Sequence, residues 1–276
     1  MSVPWPSLVV EAVAVLTFFA CFVEAWNRWS LGPLLAGTLF GLLCELFFVF
    51  GFEGYEYGKF LLAVPVNATE TVPVWVALGW GSIVWVSMQA GSRSGLPWWA
   101  AGVHDSILAL SLDLALDPLA EALGWWNWKR EGQYFGIPCD NFIGWMLIVG
   151  SLSAFTRLGW EKLSGWRGAV PFAAIAPAIL VIVAGQYGLP YLYEVLGEPV
   201  TFLLFLAVAA GLVSGTSRET KPVVPGERPW YIFGVPSIFG ILFVSLGIMT
   251  MQPGGLLVAM GLGFLTSLLL FGWRTR

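Results

Sequence analysis

Asp113 and Asp117 stand four residues apart in an otherwise apolar stretch, Leu112-Asp113-Leu114-Ala115-Leu116-Asp117-Pro118, and a step of four puts both carboxyls on one helical face. Asp105, eight residues earlier, extends that broad face, with His104, the chain's one histidine, beside it. A charged group in a spanning helix costs about 2.5–3.5 kcal/mol to insert, so such residues face a bundle interior or a wet cavity and mark candidate sites. Two close carboxyls in an apolar setting divide the labour, one holding a proton while the other carries charge. Such a pair can protonate a carbon–carbon double bond and take a proton from water. The same pair fits a purely structural role, joining helices through hydrogen bonds to Trp, Tyr and Asn side chains, and the residues alone leave both open. Glu45 falls near the end of another apolar run and is the third member expected to meet them; Glu11, Glu24 and His104 read as interfacial or packing residues.

The elements that must position these groups are membrane spans. Of the 276 residues, 58% are hydrophobic and only 11% charged, with a mean hydropathy of +0.79, against roughly 25% charged in a soluble domain. At about 20 apolar residues per span, the chain has room for about nine spans and no separate soluble domain. Apolar runs and loop signals place the spans near 7–26, 31–51, 73–91, 97–124, 141–160, 168–188, 199–215, 231–251 and 256–273. If they alternate, ten basic residues (Arg28, Arg93, Arg157, Lys162, Arg167, Arg218, Lys221, Arg228, Arg274, Arg276) fall on one side and only Lys59, Lys129 and Arg130 on the other. By the positive-inside rule the N-terminus is outside, the C-terminus cytoplasmic, and the chain a multi-pass protein of the plasma membrane. The expected architecture is an all-α polytopic helical bundle, one transmembrane domain over 1–276, with the active half at about 35–160. Pro118 removes an N–H and crowds the Leu114 carbonyl, so a kink is expected beside the Asp pair. The acidic, aromatic loops 52–58 and 124–142 lie on the side of Asp113, Asp117 and Glu45, where they can roof a pocket.

Several classes are excluded. One histidine cannot assemble the nitrogen-rich iron site of membrane oxygenases. No G-x-G-x-x-G or G-x-x-x-x-G-K-[ST] marks a dinucleotide enzyme or a nucleotide-driven pump. The three cysteines, Cys21, Cys44 and Cys139, lack paired spacing and are expected as free packing residues. The net charge of -4, with its basic residues scattered singly, gives no nucleic-acid footprint. Enzymes that need only protons and water remain, with neither metal nor cofactor. Asp113-x-x-x-Asp117 also matches half of a prenyltransferase diphosphate site, but the second aspartate cluster and its basic residues are absent.

Four motifs in order, Asp113-x-x-x-Asp117-Pro118, Gly124-Trp125-Trp126-Asn127-Trp128, Tyr134-Phe135-Gly136-Ile137-Pro138 and Asn141-Phe142-Ile143-Gly144-Trp145, resemble the membrane carotenoid hydratase family of bacteria and haloarchaea, of the bisanhydrobacterioruberin hydratase kind. Glu45, Tyr55-Glu56-Tyr57-Gly58, and Val72-Pro73-Val74-Trp75 with Trp80 are similar to its earlier segments, so the resemblance covers about 35–160. Two departures are Asp140, directly before Asn141-Phe142, and the polar stretch Asn67-Ala68-Thr69-Glu70. The resemblance implies a hydro-lyase of carotenoid biosynthesis that adds water to the terminal double bond of a long acyclic carotenoid or related isoprenoid, beside other membrane enzymes of the pathway. Asp113, Asp117 and Glu45 are the expected acid and base groups. Tyr57, Trp126, Trp128 and Tyr134 are expected to face the cation, and Asn141 to orient water or a carboxyl; Glu53, Glu56 and Asp140 are additional candidates. Two further classes stay open: a non-enzymatic carotenoid- or lipid-binding subunit, which would carry a polyene without changing its mass, and a proton-coupled transporter, which would drive uptake on a pH gradient in proteoliposomes.

Overall fold

The computed structural model describes residues 3–28, 30–51, 54–67, 70–219 and 229–272. Ten helices follow in chain order: α1 (Trp5–Asn27), α2 (Leu31–Gly51), α3 (Val74–Gly91), α4 (Trp98–Ala122), α5 (Cys139–Lys162), a single turn α6 (Val170–Ala173) leading into α7 (Ile175–Leu196), α8 (Glu198–Glu219), α9 (Trp230–Met249) and α10 (Gly254–Gly272). Among the described residues eight helices are long and apolar enough to cross a membrane, α6 and α7 counting together, and Gly254–Leu270 in α10 is apolar but shorter. The chain is thus an all-α multi-pass membrane bundle, with apolar rods in the expected order. At about 1.5 Å per residue, the 25 residues of α4 exceed the roughly 30 Å of hydrocarbon.

Prolines set where many of the rods begin. Pro4, Pro73, Pro97, Pro138 and Pro229 each precede the first residue of α1, α3, α4, α5 and α9, with φ between -62° and -66° and extended ψ. A proline there has the φ the helix entry needs and no N–H to leave unpaired in lipid. The largest departure from the expected boundaries is α7, which continues past Gly188 and Pro190 to Leu196. A spanning helix tolerates proline, and the actual stop is Gly197 at φ +78°.

α3 and α4 are central: 78% of each span is buried, against 17% for α8. Leu16, Leu180, Leu203 and Leu269 on the peripheral helices are exposed, as lipid-facing residues should be. At one end of the bundle, Asp105 on α4 receives Arg157 Nη2 of α5 at 2.7 Å and the Ser153 hydroxyl at 2.6 Å, while the same Arg157 donates to Ser92 Oγ and the Met88 carbonyl. His104 packs against Asp105 at 3.3 Å, and Arg28 lies over the Tyr231 ring at 5.3 Å. This end gathers arginines and ties helices together. Asp105, which shares a face with the Asp pair, therefore serves a structural ion network. The three cysteines are free and buried.

Candidate active site

The opposite end carries a roof made by pairing. After Ala122, Gly124 adopts φ +63°; the Trp125 N–H returns to Ala120 O at 2.8 Å and the Gly124 N–H to Glu121 O at 3.0 Å. This is a Schellman ending, in which glycine supplies the left-handed residue. It turns the chain back across the bundle, where β4 (Trp126–Trp128) pairs antiparallel with β1 (Tyr55–Tyr57), Tyr55 opposite Trp128 and Tyr57 opposite Trp126. Because side chains alternate along a strand, Tyr55, Tyr57, Trp126 and Trp128 turn inward while Glu56 and Asn127 are exposed. A second ribbon, β2 (Ala63–Pro65) with β3 (Thr71–Pro73), leads into α3. Between these strands Asn67 Nδ2 donates to Glu70 Oε2 at 2.9 Å. Glu11 anchors that segment by accepting the Leu61 and Leu62 N–H groups.

Beneath the roof, Glu45 on α2 is only 6% exposed and accepts three donors: the hydroxyls of Tyr55 and Tyr57 and Trp80 Nε1 at 2.8 Å. Burial, and then the Glu45 carboxylate, push both tyrosine hydroxyls well above the usual phenol range, which keeps them as donors. Trp80 reaches Glu45 because α2 has glycine one turn earlier: a Cβ on Gly41 would lie 2.3 Å from Trp80 Cβ. Across from Glu45, Asn141 in the first turn of α5 donates through Nδ2 to both Asp117 Oδ2 and, at 3.3 Å, Asp113 Oδ2. The two aspartates are close enough to hydrogen-bond each other when one is protonated. Asp113 is fully buried, and its Oδ1 has no hydrogen-bond partner among the described residues.

A narrow chamber opens onto this cluster. Glu45, Asp117 and Asn141 form its polar end; Tyr55, Tyr57, Trp75, Trp80, Trp126, Trp128 and Trp145 wall it; Ile83, Leu112, Leu116, Phe239 and Phe243 close its apolar depth. Trp75 lies nearly parallel to Trp126, at 6.1 Å, and Trp80 against Trp145 at 4.1 Å. Asp113 is not part of the lining and sits behind Asp117. The arrangement offers aromatic faces to a hydrocarbon and clustered carboxyls at one end.

The expected residues divide as follows. Asp113, Asp117, Asn141 and Glu45 come together, with Tyr57, Trp126 and Trp128 around them. Tyr134 does not join the wall: its hydroxyl donates at 3.2 Å to the Leu114 carbonyl, the one that Pro118 leaves without an N–H partner, and its ring packs on Phe142. Glu56 points away from the chamber. Asp140 lies outside it as well and is paired, with Glu198, to Arg130; Glu53 falls outside the described residues. Sequence reasoning missed Tyr55, Trp75, Trp80 and Trp145 as wall residues, although all four stand within quoted motifs. It also missed Phe239 and Phe243, which α9 brings from beyond the segment 35–160; their spacing of four was the available signal.

No curated protein and no solved structure matches the chain. The model of the carotenoid biosynthesis protein family matches residues 5–215, a wider stretch than the motifs themselves, ending in α8. A match over most of its length makes this chain a member of the carotenoid biosynthesis protein family.

Proposed function

We propose that the protein hydrates the terminal double bond of an acyclic carotenoid in the plasma membrane, without metal or cofactor. The observation that carries the reading is the hydrogen-bonded trio Asp113, Asp117 and Asn141 facing Glu45 at the polar end of an otherwise aromatic chamber.

Asp117, the member that reaches the chamber, delivers its proton to the less substituted alkene carbon. The π pair becomes the new C–H bond and leaves a tertiary cation. Trp126, Trp128 and the roof tyrosines present ring faces to that cation, as aromatic rings do to other cations. Water attacks the cation and gives up a proton to a carboxylate, for which Glu45, held as an acceptor by three donors, is the candidate. Glu45 then passes that proton through water at the polar end it shares with Asp117 and Asn141 back to Asp117, which restores both groups, while Asp113 stays behind Asp117 as its neighbour. The sum is one water added and no change of oxidation state.

Expression in a bacterium engineered to make lycopene tests this. The pigment should gain the mass of one water per modified end, and Asp113→Asn and Asp117→Asn should lose the gain. Unchanged pigment in cells holding well-inserted wild-type protein would overturn the reading.

A further inference from the structure

Two cavities, one almost wholly apolar and one with charged and amide side chains in its wall, meet at Glu45 and Asn141. The apolar chamber is one. The other shares Glu45, Asn141 and the rings of Tyr55, Trp80, Trp128 and Trp145 with it, then runs away from the apolar side along Lys129, Arg130, Asp140 and Gln186. A third space continues it past Gln186 to Tyr193 and Glu198, where the Tyr193 hydroxyl and Glu198 Oε2 are buried without a protein partner among the described residues. Buried polar atoms in a roomy polar site are where ordered water resides. Glycines stand at the wall of each branch. A Cβ built on Gly79, in the apolar chamber, or on Gly144, which borders both polar spaces, meets nothing within 4 Å.

We propose that the reaction point has two entrances, the apolar chamber for hydrocarbon and the Arg130–Gln186 cavity for water, and that Gly79 and Gly144 are the positions that keep each entrance open. The assignment rests on the hydration reading for the identity of the second reactant, but the accessibility it states does not depend on catalysis. The hydrocarbon branch takes the chain because its depth has no polar wall to desolvate. The water branch carries Lys129, Arg130, Asp140 and Gln186 among its apolar walls, with Tyr193 and Glu198 beyond, and these supply the two to four partners that a water needs at a stop. Asn141 and Glu45 stand where the branches join, so a water arriving by the polar branch meets the bond that the chamber holds beside Asp117. A side chain at Gly144 would occupy space that water uses, and one at Gly79 space that the polyene uses.

The test is thiol accessibility, in a background with Cys21, Cys44 and Cys139 replaced by serine. Gly144→Cys in sealed membranes should react with a small charged methanethiosulfonate, and Gly79→Cys should react about a hundredfold more slowly, because the charged reagent must leave water to reach it. An uncharged alkyl methanethiosulfonate should reverse the order at Gly79, and protein loaded with lycopene should protect Gly79→Cys while leaving Gly144→Cys reactive. Gln186→Cys, on the polar wall, gives the same readout as Gly144→Cys and replaces it if that variant fails to insert. A Gly144→Cys and Gln186→Cys pair inert to the charged reagent, or a Gly79→Cys as reactive as they are, would overturn the two-entrance assignment. Variants that label as described, alongside a well-inserted wild-type protein that never hydrates lycopene, would overturn the proposed reaction and leave the two entrances standing.

Discussion

Replacing Asn141 with leucine, nearly the same shape without the amide, isolates one hydrogen-bond donor. Asn141 Nδ2 is the group that bridges Asp117 and Asp113, and of its two contacts the one to Asp113, at 3.3 Å, is long, so the loss is dominated by the bond to Asp117. A hydrogen bond to a charged group is worth about 1.5–3 kcal/mol, which at about 1.36 kcal/mol per decade predicts a rate about tenfold to about 150-fold lower. Leucine adds apolar surface to the chamber, so affinity for the polyene should not fall; the loss belongs in kcat rather than KM. The assay is the initial rate of hydrated pigment formation by membranes supplied with lycopene, alongside a thermal melt of the solubilised protein. A variant that melts several degrees lower yet turns over at the wild-type rate would assign Asn141 to helix packing and refute its part in proton handling.

Tyr55→Phe and Tyr57→Phe each remove one of the three donors on Glu45, and each should slow turnover by about 1.5–3 kcal/mol of barrier, measured as initial rate; unchanged rates in the double variant would remove Glu45 from the chemistry. Arg157→Met strips the partner from a fully buried Asp105 and should cost about 3–5 kcal/mol of stability in a denaturation series, with the rate per folded molecule unchanged; a lost rate in folded protein would refute the structural assignment of that network. Gly41→Leu must push Trp80 aside, breaking its bond to Glu45, and should lower turnover and shift tryptophan fluorescence; a variant with wild-type emission would show that α2 and α3 yield instead.

The acid pair was legible because its spacing is local: four residues on a helix fix which face two carboxyls share, and a charge in an apolar run has few places to go. Asn141 and Trp126 came from motif order, and Glu45 from its position at the matching end of another span. The roof was half legible. Strands of three residues are too short for a periodicity reading to find, yet Tyr55-Glu56-Tyr57 and Trp126-Asn127-Trp128 already alternate large inward rings with outward polar groups. Phe239 and Phe243 were only partly legible for another reason: their spacing of four puts both on one face of α9, but which apolar face meets a cavity is decided by how the helix packs against α3 and α4. Tyr134 was misplaced because its partner is a backbone carbonyl that a proline freed. The missing N–H at Pro118 was visible, but not which hydroxyl would fill the vacancy.

The roof ribbon carries a thermodynamic linkage. Its inward tyrosines are also two of the three groups that hold Glu45, so detaching β1 from α2 and exposing that carboxylate to bulk water are a single equilibrium rather than two. Whatever stabilises the ribbon, including a hydrocarbon pressed against its four rings, also fixes the carboxylate's hydrogen bonds. An empty molecule whose roof lifts loses its arranged acceptor at the same moment. On the proposed reading, readiness for chemistry and occupancy of the chamber rise and fall together, with no separate latch.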